Sequence, residues 1–189
     1  MPEAIARELS RVTQILSATG LYDFQYADEE AKERGSRVHL ATHFFDEGDL
    51  DWRSVDEADE PFIRGWQEFR RDTQFVPDLI EHPVENTLYQ YRGTLDRLGT
   101  VKGRPLQVLI DLKTSNSGQI SKNVGLQLAA YGFAYDRGRV FDRAAIVLLP
   151  APMNGKLYSV RWFPVPEYQS DVADFLAAVR LARRAERMG

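Results

Sequence analysis

The sequence predicts an α/β fold in which a mixed β-sheet core is flanked by helices and preceded by a helical N-terminal part. Its 189 residues are enough for one domain with a sizeable core. Apolar residues at helical spacing dominate up to residue 72, and alternating or β-branched runs then predict strands. Helical spacing returns once between the strands and once after them. This order is typical of a sheet with a helix that crosses over it.

The predicted elements divide one domain, residues 1–189, into a helical part, residues 1–73, and an α/β core, residues 74–189. The predicted helices of the first part are Ser10–Leu16, Tyr26–Phe45 and Pro61–Asp72. The predicted strands of the core are Phe75–Asn86, Leu88–Val101, Pro105–Lys113, Arg143–Leu149 and Lys156–Phe163. Its predicted helices are Asn123–Tyr135 and Pro166–Arg187. A first-turn proline supports the third helix, and the turn residues 102–104 separate the second and third strands.

Composition excludes several kinds of site and location. The chain has no cysteine, which excludes disulfides, zinc sites with cysteine ligands and cysteine-held iron–sulfur clusters. No run approaches the ~20 consecutive apolar residues of a membrane span. Residues 1–10 carry Glu3 and Glu8 and lack the apolar centre of a signal peptide. We therefore expect a cytoplasmic protein that does not enter a membrane.

Charge is unevenly distributed along the chain. The net charge is -4, whereas proteins dedicated to binding nucleic acid are usually basic. Residues 46–60, the acidic segment, hold eight acidic residues and one arginine, and the rest of the chain is slightly basic. We expect the acidic segment to be a solvated loop.

Three ionisable side chains are predicted to converge on two neighbouring strands. Asp111 and Lys113 are two residues apart on a strand, so their side chains share a face, about 6–7 Å apart. If the hairpin turn centres near residues 103–104, Asp96 lies opposite Asp111, with Cβ atoms about 4.5–5.5 Å apart. Because two close carboxylates repel each other, a hard divalent cation would stabilise them. The alternative, from the D-x-K pattern alone, is an ordinary salt bridge on an exposed strand.

Other side chains could join this site, although each alone is more often structural. His39 lies on a predicted helix, where a packed or surface histidine is the ordinary case. Gln127 and Tyr131 are four residues apart and share a helix face. Glu81 and Glu85 share a strand face by parity, and an exposed sheet edge is their alternative.

Five motifs, taken in order, carry a resemblance to a known family. They are Gly35-x-x-x-His39, Glu81-x-Pro83, Gly93-Thr-x-Asp96, Asp111-x-Lys113-Thr-Ser115 and Gln127-x-x-x-Tyr131. Together, across about residues 10–135, they resemble the RecB-type exonuclease branch of the PD-(D/E)xK nucleases. The segment Arg11-Val-Thr-Gln-Ile-Leu16 also resembles stand-alone phage nucleases and the mitochondrial genome maintenance exonuclease. Leu95 stands where the family's name motif has proline, and the iron–sulfur cysteines of some relatives are absent.

The resemblance implies a restriction-endonuclease-like core and a metal-dependent deoxyribonuclease of bacterial or phage origin. It implies hydrolysis of DNA at single strands or ends during replication, recombination or repair, with proteins of those processes as partners. One or two Mg²⁺ or Mn²⁺ ions are the implied cofactors. The implied metal ligands are His39, Asp96, Asp111 and the backbone carbonyl of Leu112. The implied catalytic residues are Asp96, Asp111, Lys113, Gln127 and Tyr131, with Glu81 and Glu85 as support.

Candidate DNA contacts are cationic and hydroxyl side chains near these motifs in sequence. They are Arg37, Arg92, Thr114, Ser115 and Lys122. Arg97 and Arg104 also lie near the motifs and could pair with phosphates. Three alternatives to an exonuclease stay open: a structure-specific or nonspecific endonuclease of the same fold, a non-catalytic DNA-binding module, and a structural protein with chance motifs.

Overall fold

The structure, a computed structural model, describes residues 9–21 and 29–188 of the chain. The helices of these residues are α1 (Val12–Ala18), α2 (Glu29–Glu47), α3 (Glu60–Thr73), α4 (Val124–Tyr135) and α5 (Tyr168–Met188). The strands are β1 (Ser10–Arg11), β2 (Val76–Asn86), β3 (Tyr91–Thr100), β4 (Val108–Thr114), β5 (Asp142–Met153) and β6 (Lys156–Phe163). Within the described ranges, no helix combines the length and apolar character needed to cross a membrane.

The six described strands form one mixed sheet, which confirms the predicted fold class. β3 pairs in parallel with β1 and antiparallel with both β2 and β4. β5 pairs in parallel with β4 and antiparallel with β6. A parallel pair needs a crossover connection, and α4 supplies it between β4 and β5. β4 is buried along Val108–Leu112, as its continuous apolar run predicts.

Helices cover both faces of this sheet, which is consistent with a restriction-endonuclease-like core. One cluster of buried residues joins α1, α4 and α5 to one face, for example through Leu128 and Phe175. A second cluster joins α2 and α3 to the other face through Val38, Trp66 and Phe69. The apolar stripe of α3 explains its packing. A site between β3 and β4 is therefore within reach of helices on both faces.

The start of the described chain differs from the predicted helix at Ser10–Leu16. Ser10 and Arg11 are extended and pair with Tyr91 and Arg92 at the start of β3, so the helix begins at Val12. That pairing spans some eighty residues, and a local capping pattern carries no information about it. The predicted start of the second helix at Tyr26 lies outside the described residues, and α2 continues to Glu47.

The acidic segment is exposed over most of its length, as expected, but two of its carboxylates are buried. Asp46 lies in the last turn of α2, and its side chain is fully buried. Its carboxylate accepts hydrogen bonds from Arg97, Arg70 and the Trp66 indole. Asp59 is also buried and accepts two bonds from Arg37. These partners come from other elements, so the buried charges are compensated rather than hydrated.

Candidate active site

The two strands that carry the central carboxylates have the predicted register. Arg97 pairs with Ile110 and Leu98 with Leu109, which sets Asp96 opposite Asp111. The ladder between β3 and β4 ends at this point. Instead of a backbone carbonyl, Asp96 Oδ2 accepts the Leu112 N–H at 2.7 Å. The end of the ladder leaves a gap that side chains enter from both faces of the sheet.

From the α4 side, a buried polar group forms around Asp111. Its side chain is almost fully buried, and Lys113 Nζ lies 2.9 Å from its carboxylate oxygens. Gln127 Nε2 donates to Asp111 Oδ1 at 2.9 Å and also lies 3.1 Å from the Tyr131 hydroxyl. Burial raises the pKa of the Tyr131 phenol above its usual range, so the hydroxyl stays neutral. Gln127 therefore holds the Asp111 carboxylate from the α4 side, and Tyr131 holds Gln127 in place.

From the α2 side, His39 reaches the same gap. Its Nδ1 lies 3.1 Å from Glu81 Oε1, and its Nε2 lies 3.2 Å from the Leu112 carbonyl. The same Nε2 is 4.0 Å from Asp96 Oδ2. A carboxylate behind one ring nitrogen is the usual way in which proteins orient a histidine that binds a metal through the other nitrogen.

Charge coupling within this group is strong. Burial opposes protonation of His39, but the Asp96 carboxylate and the contact with Glu81 outweigh it and raise the pKa to about 9. Burial raises the pKa of the Asp96 carboxyl to about 6, although the charge of His39 opposes the rise. Burial acts to raise the pKa of Glu81 as well, yet its contact with His39 holds that pKa below the usual range. At neutral pH the metal-free imidazole is therefore a cation that donates from both nitrogens.

The donor atoms fit a divalent metal ion. His39, Glu81 and Asp96 each offer one candidate ligand atom, and these atoms lie within 4.8 Å of one another. This group of described residues includes Glu81, predicted as a support residue, and leaves out Asp111, predicted as a ligand. Asp111 Oδ2 is buried and accepts no hydrogen bond from the described residues, although Lys113 Nζ lies 2.9 Å from it. A buried carboxylate is stabilised by a neighbouring cation, and a metal ion bound beside the ammonium would add to that stabilisation. Carboxylate and carbonyl oxygens suit Mg²⁺ and Mn²⁺, and the imidazole nitrogen favours Mn²⁺.

Glu81 and Glu85 have different surroundings, although strand parity treats them alike. Glu81 has a φ of 45°, a left-handed conformation that a non-glycine residue adopts only when its surroundings enforce it. This backbone turn aims its carboxylate at His39 and Arg97. Glu85, by contrast, is exposed and lies opposite Arg92. Of the two glutamates predicted to support the site, only Glu81 contacts a candidate ligand, His39.

The candidate DNA contacts do not form one group. Arg37 is held by two bonds to Asp59, at the acidic segment. Thr114 ends β4 and is half-buried next to Lys113. The Ser115 hydroxyl contacts Ser117, while Lys122 is exposed just before α4. Arg92 is half-buried, close to β1. Their roles toward DNA stay predictions.

Two arginines near the motifs are held by contacts within the protein. Arg97 has a fully buried side chain, so it cannot reach a phosphate. Arg104 pairs with Asp142 and stacks on the Trp162 ring. Sequence reasoning missed the link from Arg97 to Asp46 and Glu81. The sequence pattern that could have indicated this link lies on α2, where His39, Thr42 and Asp46 form a polar stripe at helical spacing.

Gly93 of the third motif is required by Tyr131 of the fifth. A Cβ on Gly93 would lie 2.4 Å from Tyr131 Cε1, much closer than van der Waals contact allows. Gly35 of the first motif has no such neighbour, since its Cβ would meet only Thr114 Oγ1 at 3.9 Å. The two glycines therefore predict opposite behaviour on substitution.

Gly93→Ala should displace the Tyr131 ring and lower the free energy of unfolding by about 1–3 kcal/mol, the usual cost of overpacking. Gly35→Ala, the matched control, lies inside a helix and should be neutral or stabilising by about 0.5–1 kcal/mol. Urea unfolding of both variants measures the difference. A Gly93→Ala variant as stable as the wild type would show that the ring does not occupy this position.

Comparison with known proteins gives a similar fold at low sequence identity. A candidate exonuclease of Eubacterium rectale superposes with a TM-score of 0.61 at 10% identity, covering 95% of this chain and 82% of that chain. The alkaline exonuclease LHK-Exo of Laribacter hongkongensis gives a TM-score of 0.44 at 13% identity, covering 96% and 95%. Its complex with dAMP gives 0.43 at 14% identity. No family model and no curated protein sequence matches the chain. The first likeness shows a shared fold, and the chemistry has to be argued from the site itself.

Proposed function

We propose that this protein is a metal-dependent DNA exonuclease that hydrolyses phosphodiester bonds at single strands or DNA ends. In this proposal residues 1–73 lie over the active site and residues 74–189 form its core, in one nuclease domain. The observation that carries the proposal is the convergence of Asp96, Asp111 and Lys113 with the pair His39–Glu81 at one gap in the sheet. The same side chains belong to the motifs that carry the sequence resemblance. The fold shared with a candidate exonuclease is consistent with the proposal.

Each side chain has a definite part in this chemistry. Asp96, Asp111, the Leu112 carbonyl and His39 Nε2 would hold one or two Mg²⁺ or Mn²⁺ ions, with Glu81 behind His39. A bound ion of this kind supplies Lewis acidity and lowers the pKa of a bound water. Lys113 lies beside Asp111, where its ammonium can orient the attacking water or stabilise charge that develops on the phosphate. Gln127 and Tyr131 keep Asp111 in position.

The preference for ends and single strands is supported by the surroundings of the site. α2 lies across the gap, since its His39 contacts Leu112 and Glu81 on two different strands. A site covered by a helix suits a threaded strand better than a wrapped duplex. In the described chain, residues after Lys113 are mostly taken up by α4, β5, β6 and α5. Few of them are left to build a module that reads bases in the major groove.

A comparison of linear and covalently closed circular single strands of the same sequence, with Mg²⁺, tests this function. We expect the linear DNA to be degraded while the circle stays intact, because an exonuclease needs a terminus. A preparation of Lys113→Ala, purified in the same way, controls for contaminating nucleases. Equal degradation of both forms would make the protein an endonuclease. DNA binding without degradation of either would make it a non-catalytic binding module.

A further inference from the structure

A series of ion pairs, fully buried at its Asp46–Arg97 end, connects the candidate active site to the end of α2. Arg97 Nε donates to Asp46 Oδ2 at 2.6 Å, and Arg97 Nη1 donates to Glu81 Oε1 at 3.0 Å. Glu81 in turn contacts His39 Nδ1. His39 and Asp46 lie seven residues apart on the same face of α2. The series of ion pairs therefore begins at Asp46 of α2, runs through Arg97 and Glu81 of the sheet, and ends at His39 of α2.

Arg97 contacts both Glu81 and two residues of α2, the helix that carries His39. Besides the two ion pairs, its Nη1 donates to the Asp96 carbonyl at 2.7 Å and its Nη2 to Thr42 Oγ1 at 3.1 Å. The guanidinium and the Asp46 carboxylate are both fully buried. A planar fork with fixed directions can satisfy four acceptors at once, whereas a lysine ammonium cannot.

From this geometry we infer that Arg97 is a positioning residue for the metal site. Anchored by Asp46, Arg97 holds the Glu81 carboxylate against His39 Nδ1, so that His39 Nε2 faces Asp96 and the Leu112 carbonyl. The inference rests on the proposed function in one respect, because it assumes that a cation binds between His39 Nε2, Asp96 and the Leu112 carbonyl.

Two further observations support a role beyond packing. Glu81 keeps a φ of 45°, and such a strained backbone persists only where its surroundings over-determine it. The bond from Arg97 is one of the two side-chain contacts that hold this carboxylate. In addition, Asp46 balances the charge of Arg97, so that a guanidinium next to Asp96 does not repel a cation from the site. A positioning role explains why a charged pair occupies a place that an apolar pair could fill.

Arg97→Lys, compared with Arg143→Lys in the full chain, tests the inference. Arg143 is the matched control: it is equally buried, pairs with Asp171 and donates to the Gly125 carbonyl, but contacts none of the candidate ligands. Binding of Mn²⁺ alone is measured by electron paramagnetic resonance. The ring ¹⁵N signals of His39 are recorded in the metal-free protein and assigned with His39→Gln.

We expect Arg97→Lys to weaken Mn²⁺ binding about 10-fold or more, the usual effect of losing support behind a ligand, and Arg143→Lys by less than ~2-fold. The His39 ring signals should shift in Arg97→Lys and not in Arg143→Lys. Equal effects of the two substitutions on both measurements would overturn the inference. If the wild type binds no Mn²⁺, the proposed function fails, and the ring signals alone decide whether Arg97 positions His39. Should Arg97→Lys not fold, Arg97→Met combined with Asp46→Asn removes both buried charges together, and the same outcomes apply.

Discussion

Lys113→Ala should reduce DNA cleavage by about 10²–10⁴-fold, the range found when a group that transfers a proton or stabilises charge is removed. Mn²⁺ binding should survive, because Asp96, Asp111 and His39 remain. Lys113 Nζ lies 2.9 Å from the Asp111 carboxylate, which fixes the ammonium at the site. Initial rates on end-labelled linear single strands, measured beside Mn²⁺ binding, separate these two effects.

Lys102→Ala is the control for this substitution. Lys102 is exposed in the turn at the far end of the same hairpin, so its loss removes a positive charge without touching the site. Its cleavage rate should stay close to that of the wild type. If Lys113→Ala cleaves as fast as Lys102→Ala, Lys113 takes no part in the reaction.

Asp111→Asn should weaken metal binding and abolish cleavage, in contrast to Lys113→Ala, which should leave metal binding intact. Asparagine keeps the size of the side chain and can accept the bond from Gln127, so the fold should survive. It loses the negative charge of the buried carboxylate beside Lys113. We expect Mn²⁺ affinity to fall by at least about 10–100-fold, with cleavage below detection. Asp142→Asn, at another buried carboxylate that pairs with Arg104, is the control, and a wild-type affinity in Asp111→Asn would remove Asp111 from the site.

The central part of the site could be predicted from the sequence because it depends on local geometry. The connection between β3 and β4 centres on residues 103–104, as predicted, and this register sets Asp96 opposite Asp111. Strand alternation then places Lys113 beside Asp111. Strand parity could not tell Glu81, which contacts His39, from Glu85, which is exposed. The left-handed backbone at Glu81 is a feature that no pattern of apolar residues reports.

The remaining parts depend on contacts between residues far apart in sequence. His39 meets the Leu112 carbonyl across 73 residues, so its helix alone could not distinguish a ligand from a surface histidine. Asp46 was assigned to a solvated loop because it begins a run of acidic residues. Its burial follows from Arg97, Arg70 and Trp66, none of which lies nearby in the sequence. Arg97 was likewise interpreted from its neighbours in sequence. Its position next to Asp96 suggested a DNA contact, whereas its side chain is buried.

The dependence of cleavage on a divalent ion tests the central claim most directly. The wild-type protein is incubated with linear single-stranded DNA in excess EDTA, and Mg²⁺, Mn²⁺ or Ca²⁺ is then added beyond the chelator. We predict no cleavage in EDTA, full recovery with Mg²⁺ or Mn²⁺, and DNA binding with little cleavage in Ca²⁺, whose looser coordination positions water less well. Undiminished cleavage in EDTA would contradict the account.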